Sequence, residues 1–224
     1  KEGFRVTLLE SDSLVKGTTG HTTAKISAQH DIIYNELMQH MGKDKARAYY
    51  EANMDALRFI KQTIKENNIE CEFSEEDAFL YGNTDQSIRE LYKEANAYHQ
   101  LGIEGAFVHK LPIDLPMQAG VVMRNQAQFH PIKYLSYFIH CLQEMGVKIY
   151  EQTTAVDVEE GTQPKIITND GHRITCDYII SCAHFPFYDG KGFFFSRMYM
   201  ERSYIIGVKT EKIPQQGMYL SADD

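Results

Sequence analysis

Apolar and polar positions alternate along this chain in patterns that predict a mixture of strands and helices. Residues 4 to 10, Phe4-Arg5-Val6-Thr7-Leu8-Leu9-Glu10, are nearly all apolar or β-branched and end in an acid, which is how a buried strand of a parallel sheet reads. Residues 11 to 30 are small, polar and glycine-containing, and predict a loop. Helical spacing follows over about 31 to 41 and 43 to 67, where Ala46, Tyr50, Met54, Leu57, Ile60 and Ile64 recur every three or four residues as one apolar stripe. Cys71 to Gly82 reads as two short strands, and Thr84 to Leu101 as a helix that opens on a threonine cap and closes before Gly102. From Ala106 to Phe129 the alternation is patchy, and Val108, Val121, Val122 and Phe129 predict antiparallel strands.

His130-Pro131 then opens a helix with proline at its first position, Ile132, Leu135, Ile139 and Leu142 on one face, and Gly146 just past its end. Strands are predicted at 147 to 150 and 154 to 158, in a hairpin around Asn169-Asp170-Gly171, and at the apolar run Tyr178-Ile179-Ile180. After Pro186 the composition turns aromatic and strand-prone: Phe193-Phe194-Phe195, Met198-Tyr199-Met200 and the run Tyr204 to Val208 predict a second, more antiparallel layer with the phenylalanines in its core. The chain opens in a strand without an initiator methionine and stops just after the strand-like Met218 to Leu220, so both ends are expected to be cuts from a longer protein.

A length of 224 residues with 43% hydrophobic and 24% charged side chains is the composition of an ordinary globular protein with ample core. Twenty-three basic against thirty-one acidic residues leave a formal charge of -8, which argues against a nucleic acid or an anionic membrane bound through a broad basic surface. No apolar run approaches the roughly 18 residues of a spanning helix, and no charged-then-apolar leader precedes the first strand. A cytoplasmic protein is therefore expected. Cys71, Cys141, Cys176 and Cys182 lie far apart with no CxxC pair and no zinc-finger histidine spacing, which fits reduced, part-buried thiols and no metal site.

Two features carry candidate chemistry. Glu10 closes the opening strand, the position from which an acid accepts hydrogen bonds from ribose hydroxyls in a dinucleotide-binding βαβ unit. Next comes Gly17-Thr18-Thr19-Gly20-His21-Thr22-Thr23-Ala24-Lys25, whose glycines permit close backbone approach and whose hydroxyls and amides suit phosphate oxygens. Standing alone, either is equally well a common strand end or a glycine-threonine surface loop.

Taken in order, the Val6 to Glu10 strand, the Gly17 to Lys25 loop, the Phe129-His130-Pro131 helix start, the Gly146 to Val158 strand pair and Asp177-Tyr178-Ile179-Ile180-Ser181-Cys182-Ala183-His184 resemble the FAD-dependent amine and amino-acid oxidoreductases. These are the glycine oxidase, sarcosine oxidase and D-amino-acid oxidase group. His184-Phe185-Pro186-Phe187 with Gly20 to Lys25 resembles more closely the bacterial branch in which some members carry a C-terminal Rieske iron-sulfur domain. The resemblance covers nearly the whole chain but only the middle of such a protein. It implies a mixed α/β fold: an incomplete Rossmann-like FAD-binding domain, residues 1–70 and 146–185, interleaved with an antiparallel-sheet substrate domain, residues 71–145 and 186–224.

For the cofactor FAD, the resemblance implies that Glu10 holds the adenosine ribose with Ser11 near the adenine, and that Gly17, Thr18 and Thr19 line the pyrophosphate and ribityl. Thr22, Thr23, Ala24 and Lys25 would run beside the flavin ring, and Val156 would present its backbone to the adenine. Ser181, Cys182 and Ala183 would pass under the ADP moiety, where Cys182 departs from the family's small-residue run and reads as filler. Lys25 either favours negative charge on the reduced flavin or is a solvated loop lysine. His21 and His184 are candidate bases, each equally readable as a structural hydrogen bonder, and Arg197, Tyr199, Arg202 and Tyr204 are candidates for a substrate carboxylate. The implied activity is oxidation of an amine or amino acid by hydride transfer to flavin. The alternatives are an electron relay to an appended Rieske domain and a non-catalytic nucleotide-binding module. With the phosphate-binding first turn outside the sequence, the 224-residue piece alone is expected to hold FAD weakly or not at all and to be inactive.

Overall fold

A computed structural model describes residues 3–189, 192–211 and 217–223, and the chain divides into two units, residues 1–21 with 135–207 and residues 22–134 with 208–224. The second unit is built on one mixed sheet. Its central strands β3 (Ser74–Gly82) and β5 (Ala119–Gln128) are antiparallel, with β10 (Met218–Ser221) parallel to β3 at one edge. β2 (Lys25–Ile26) and β4 (Gly105–Val108) both pair with β5, antiparallel, at opposite ends of its length. Where the sequence reads two short strands between Cys71 and Gly82, there is one, made irregular by a bulge between Glu76 and Ala78 that breaks its alternation.

The period-two alternation of a strand sorts this sheet into two faces. Leu80, Val121 and Met123 meet a helical layer of α1 (Tyr34–Met41), α2 (Lys43–Asn67) and α3 (Asp85–Leu101) through Tyr34, Ala46, Met54, Leu91, Tyr98 and Leu101. Phe79 and Val122 point the other way and are partly covered by Leu111 from the 109–117 loop. α3 opens as expected on Thr84, whose Oγ1 accepts from the Ser87 N–H, and closes on left-handed Gly102. α1 has no such local cap. Its first turn is capped from α3 instead, by the fully buried carboxylate of Glu94, which accepts from the N–H groups of Ile33 (3.2 Å), Tyr34 (2.9 Å) and Asn35 (2.9 Å).

Gly105 is set by contact. A Cβ there would lie 2.3 Å from the Val122 carbonyl oxygen and 2.8 Å from the Tyr98 ring, and neither backbone nor a buried ring can move aside cheaply. Gly105→Ala is expected to lower unfolding stability by about 2–3 kcal/mol, read as a drop in the urea midpoint at unchanged slope.

The first unit pairs β1 (Thr7–Leu9) with β6 (Lys148–Tyr150) in parallel, Leu8 opposite Ile149. α4 (Pro131–Glu144) leads into it from the second unit, and β7 (Ala155–Glu159), β8 (Lys165–Thr168) and β9 (Arg173–Thr175) follow as an antiparallel meander. The hairpin turn is the predicted Asn169-Asp170-Gly171, with Gly171 at φ 86 and Asp170 held by Thr168 and His172, which keep its carboxyl down at about 2. Parallel and antiparallel sheets with helices give the mixed α/β class the sequence predicts.

Three expectations are corrected. The opening strand is shorter than residues 4 to 10, and Phe4 and Val6 are exposed. Tyr178-Ile179-Ile180 forms no strand, and Tyr178 and Ile180 lie 78% and 85% exposed. Among the described residues between 192 and 211 there is one short 3-10 turn, Phe194–Arg197, and no strand, with Phe193, Phe194 and Phe195 exposed rather than in a core. The common reason is that strand propensity measures fit to a half-buried pleated surface, and these runs have no ladder partner among the described residues. No helix among those residues is long and apolar enough to cross a membrane.

Candidate functional site

β1 ends at Leu9, which makes Glu10 the first residue beyond the carboxyl end of a parallel strand pair. The backbone still pairs there: Glu10 N–H donates to the Tyr150 carbonyl and the Glu10 carbonyl accepts from Thr153 N–H, each at 2.9 Å. One carboxylate oxygen, Oε1, accepts from the Asp12 N–H at 2.9 Å and from Ser11 Oγ at 3.3 Å. The other, Oε2, accepts no bond among the described residues. The loop behind it is laced to the residues after β6: Gln152 N–H donates to the Asp12 carbonyl, Gln152 Nε2 to Asp12 Oδ1, and Leu14 N–H to Glu151 Oε1. The Gln152 amide is the main reason that the Asp12 carboxyl lies below its ordinary value. Glu10 is thus a half-buried acid whose direction is fixed through one oxygen while the other stays open as an acceptor.

An open acceptor outside the carboxyl ends of parallel strands is what a ribose diol, a pair of hydroxyl donors, requires. Val156 falls at the bulge of β7, between Ala155 and Asp157, and has no partner across the ladder, which frees backbone groups that a regular strand would occupy.

Gly17, Thr18 and Thr19, all exposed, lie in a 3-10 turn, Gly17–His21. His21 donates from Nδ1 to the Gly17 carbonyl at 2.6 Å and so closes its own turn. Just ahead, Val15 sits at φ 56, a left-handed conformation that a β-branched residue rarely adopts. Val15→Gly is expected to raise stability by about 1 kcal/mol, the relieved strain exceeding the extra chain entropy of glycine, read as a higher urea midpoint.

In the second unit, Ala24 is also left-handed, at φ 65. Its N–H donates to Thr22 Oγ1 and its carbonyl accepts from Phe129 N–H, both at 3.2 Å. Lys25 follows in β2 opposite Gln128, exposed, with no ion pair among the described residues. Ser181, Cys182, Ala183 and His184 are exposed and outside regular structure. Arg197 ends a 3-10 turn, Tyr199 and Tyr204 are 89% exposed, and Arg202 is exposed beside them, so no strand presents these side chains to a common point. The bulge at Val156 and the remote cap by Glu94 carry no signal in hydrophobic periodicity, because both are made by partners distant in sequence.

A family profile described as FAD dependent oxidoreductase matches residues 1–220. YhfW of Bacillus subtilis, named a Rieske 2Fe-2S iron-sulfur protein, is 45% identical over 223 residues, covering 100% of this chain and 44% of its own. Among solved structures, glycine oxidase from Geobacillus kaustophilus superposes with a TM-score of 0.56 at 13% identity, over 77% of this chain and 47% of that one. L-amino acid deaminase from Proteus vulgaris does so with a TM-score of 0.52 at 12% identity, over 75% and 39%. At such identities the two structures establish the fold alone. The chain spans less than half the length of each of these relatives.

Proposed function

The chain belongs to the FAD dependent oxidoreductase family, whose cofactor is FAD, and from that premise we propose that its first unit grips the adenosine half of FAD through Glu10. The observation that carries this reading is the acid's state: at the carboxyl end of β1, pinned through Oε1 and open at Oε2. Ser11 keeps the carboxylate oriented, Gly17, Thr18 and Thr19 offer backbone and hydroxyl groups to the pyrophosphate and ribityl, and Val156 offers its unladdered backbone to the adenine. In the second unit, Thr22, Thr23, Ala24 and Lys25 are the residues that would serve the flavin ring, and the Lys25 ammonium, exposed and without an acid partner among the described residues, would favour negative charge on the ring when it is reduced. Ser181, Cys182 and Ala183 would serve the ADP moiety.

When bound, FAD would supply the redox chemistry as acceptor of a hydride from the carbon bearing an amine nitrogen, with the proton lost from that nitrogen and water hydrolysing the product to a carbonyl compound and the free amine or ammonia. The task left to this chain is binding and orientation. The test is anaerobic mixing of the FAD-reconstituted full-length parent protein, of which this chain is a part, with a panel of amines and amino acids. Bleaching of the flavin band by at least one of them is expected, and a flavin that stays oxidised with all of them overturns carbon-nitrogen oxidation.

A second reading is favoured by one observation, the name of the 45% identical relative as a Rieske protein. Here the FAD held by this chain would supply electrons to an iron-sulfur cluster held elsewhere in the longer protein. Flavin reduced by dithionite and reoxidised faster by a soluble Rieske protein than by oxygen would support it. Because the chain spans less than half of its relatives, it is expected to bind FAD weakly by itself and to turn over no substrate.

A further inference from the structure

We infer that Gln152 is a positioning residue of the nucleotide site, the side chain that sets the direction in which Glu10 presents its open oxygen. This role rests on Glu10 being the ribose acceptor. The Glu10 carboxylate takes its direction from its own loop, through Ser11 Oγ and the Asp12 N–H. Its aim therefore follows whatever holds Asp12. That holder is Gln152, just beyond the end of β6. Its backbone N–H donates to the Asp12 carbonyl at 2.9 Å, and its Nε2 donates to Asp12 Oδ1 at 3.1 Å and to Ser13 Oγ at 3.4 Å. Thr153 N–H to the Glu10 carbonyl and Leu14 N–H to Glu151 Oε1 flank this grip on either side.

The grip does more than fix a loop. Asp12 is a second acid two residues from Glu10, and a free carboxylate there would compete with Glu10 for the Ser11 hydroxyl and for the donors of a ribose diol. Bound to Gln152, it is withdrawn from that competition. The backbone of Gln152 points to the same use. Its φ is 52, in the left-handed region where glycine is favoured and a residue with a Cβ is strained. Glycine would make the same turn and keep the backbone bond to Asp12. Gln152 is also exposed, and a solvent-exposed side-chain hydrogen bond contributes little to stability. A strained position thus keeps a side chain whose hydrogen bonds among the described residues go to the loop that aims Glu10.

Gln152→Gly separates aim from stability. It relieves the strain and deletes only the amide, so the urea midpoint of the 224-residue chain is expected to hold or rise. ADP is titrated calorimetrically into the full-length parent protein, of which this chain is a part, after FAD is removed. Gln152→Gly is expected to weaken ADP about fivefold, the order of effect of freeing one polar side chain. In a Glu10→Gln background the same change is expected to alter ADP affinity by less than about twofold, because the carboxylate to be aimed is gone. A fivefold loss that persists in Glu10→Gln, an ADP affinity that Gln152→Gly leaves unchanged, or a loss of affinity accompanied by a lower urea midpoint each overturns the role of Gln152 while leaving Glu10 in place. An ADP affinity that Glu10→Gln alone leaves intact overturns the ribose reading and this role with it, which sets that failure apart from the other three.

Discussion

Replacing Glu94 by alanine is expected to cost about 4 kcal/mol of unfolding stability, more than the substitution at Gly105. α1 is eight residues long, begins after Ile33 and has no side-chain cap of its own. Three of its leading N–H groups rely on one carboxylate that is 0% exposed. Alanine removes the acceptor, leaves those donors dry and opens a cavity beside Tyr34 and Tyr98. Glu94→Gln is expected to be milder, about 1–2 kcal/mol, because its carbonyl still serves Ile33 and Tyr34 while its NH₂ faces the Asn35 N–H.

Burial pushes the Glu94 carboxyl above its ordinary value, against the hydrogen bonds from Asn35, Tyr34 and Ile33 that pull it down. A folded-state pKa above the unfolded one means that the folded protein binds the extra proton. Its contribution is therefore full below the unfolded value of about 4.3 and is lost as pH rises through the folded value. Asp223 acts in the opposite sense. Ser87, the N–H groups of Asn83 and Thr84, and the Thr84 hydroxyl hold its carboxyl at about 2, so its contribution is present above the unfolded value of about 3.9 and is lost as pH falls toward 2. Urea midpoints followed upward from pH 4 should decline less in Glu94→Gln than in the unmodified chain. An identical decline would assign it to other groups.

Glu10→Gln is expected to weaken ADP binding by about 30-fold, the equivalent of about 2 kcal/mol for hydrogen bonds to a charged acceptor. Glutamine is the clean substitution: its oxygen can still accept from Asp12 N–H and Ser11 Oγ, while its NH₂ replaces the open acceptor with a donor. Calorimetric titration of ADP, with circular dichroism showing the fold unchanged, checks it. Unaltered affinity would remove Glu10 from the nucleotide site.

The parts of the fold legible in the sequence are those decided locally. The stripe from Ala46 to Ile64 became α2 at its expected bounds, the Thr84 and Gly102 signals ended α3 as read, and Asn169-Asp170-Gly171 made its hairpin. Residues 178 to 180 and 193 to 208 misled because aromatic and β-branched side chains signal a strand only if another strand is there to receive them. Glu10 was legible as an acid after a strand, but its pinned and open oxygens come from Ser11 and Asp12 folding back on it. The pairing of Asp77 with Arg124 was illegible, since it depends on a bulge joining residues 47 apart.

Binding of the sugar and diphosphate of FAD by the carboxylate after β1 and the turn at Gly17–His21 is what the proposed function stands on. Its most direct test is the ¹⁵N NMR map of ADP added to the chain. Shifts are expected to concentrate at Glu10 to Thr19 and at Val156, and to be abolished in Glu10→Gln at the same ADP concentration. Shifts confined to the second unit, or a map that Glu10→Gln leaves unchanged, would contradict it.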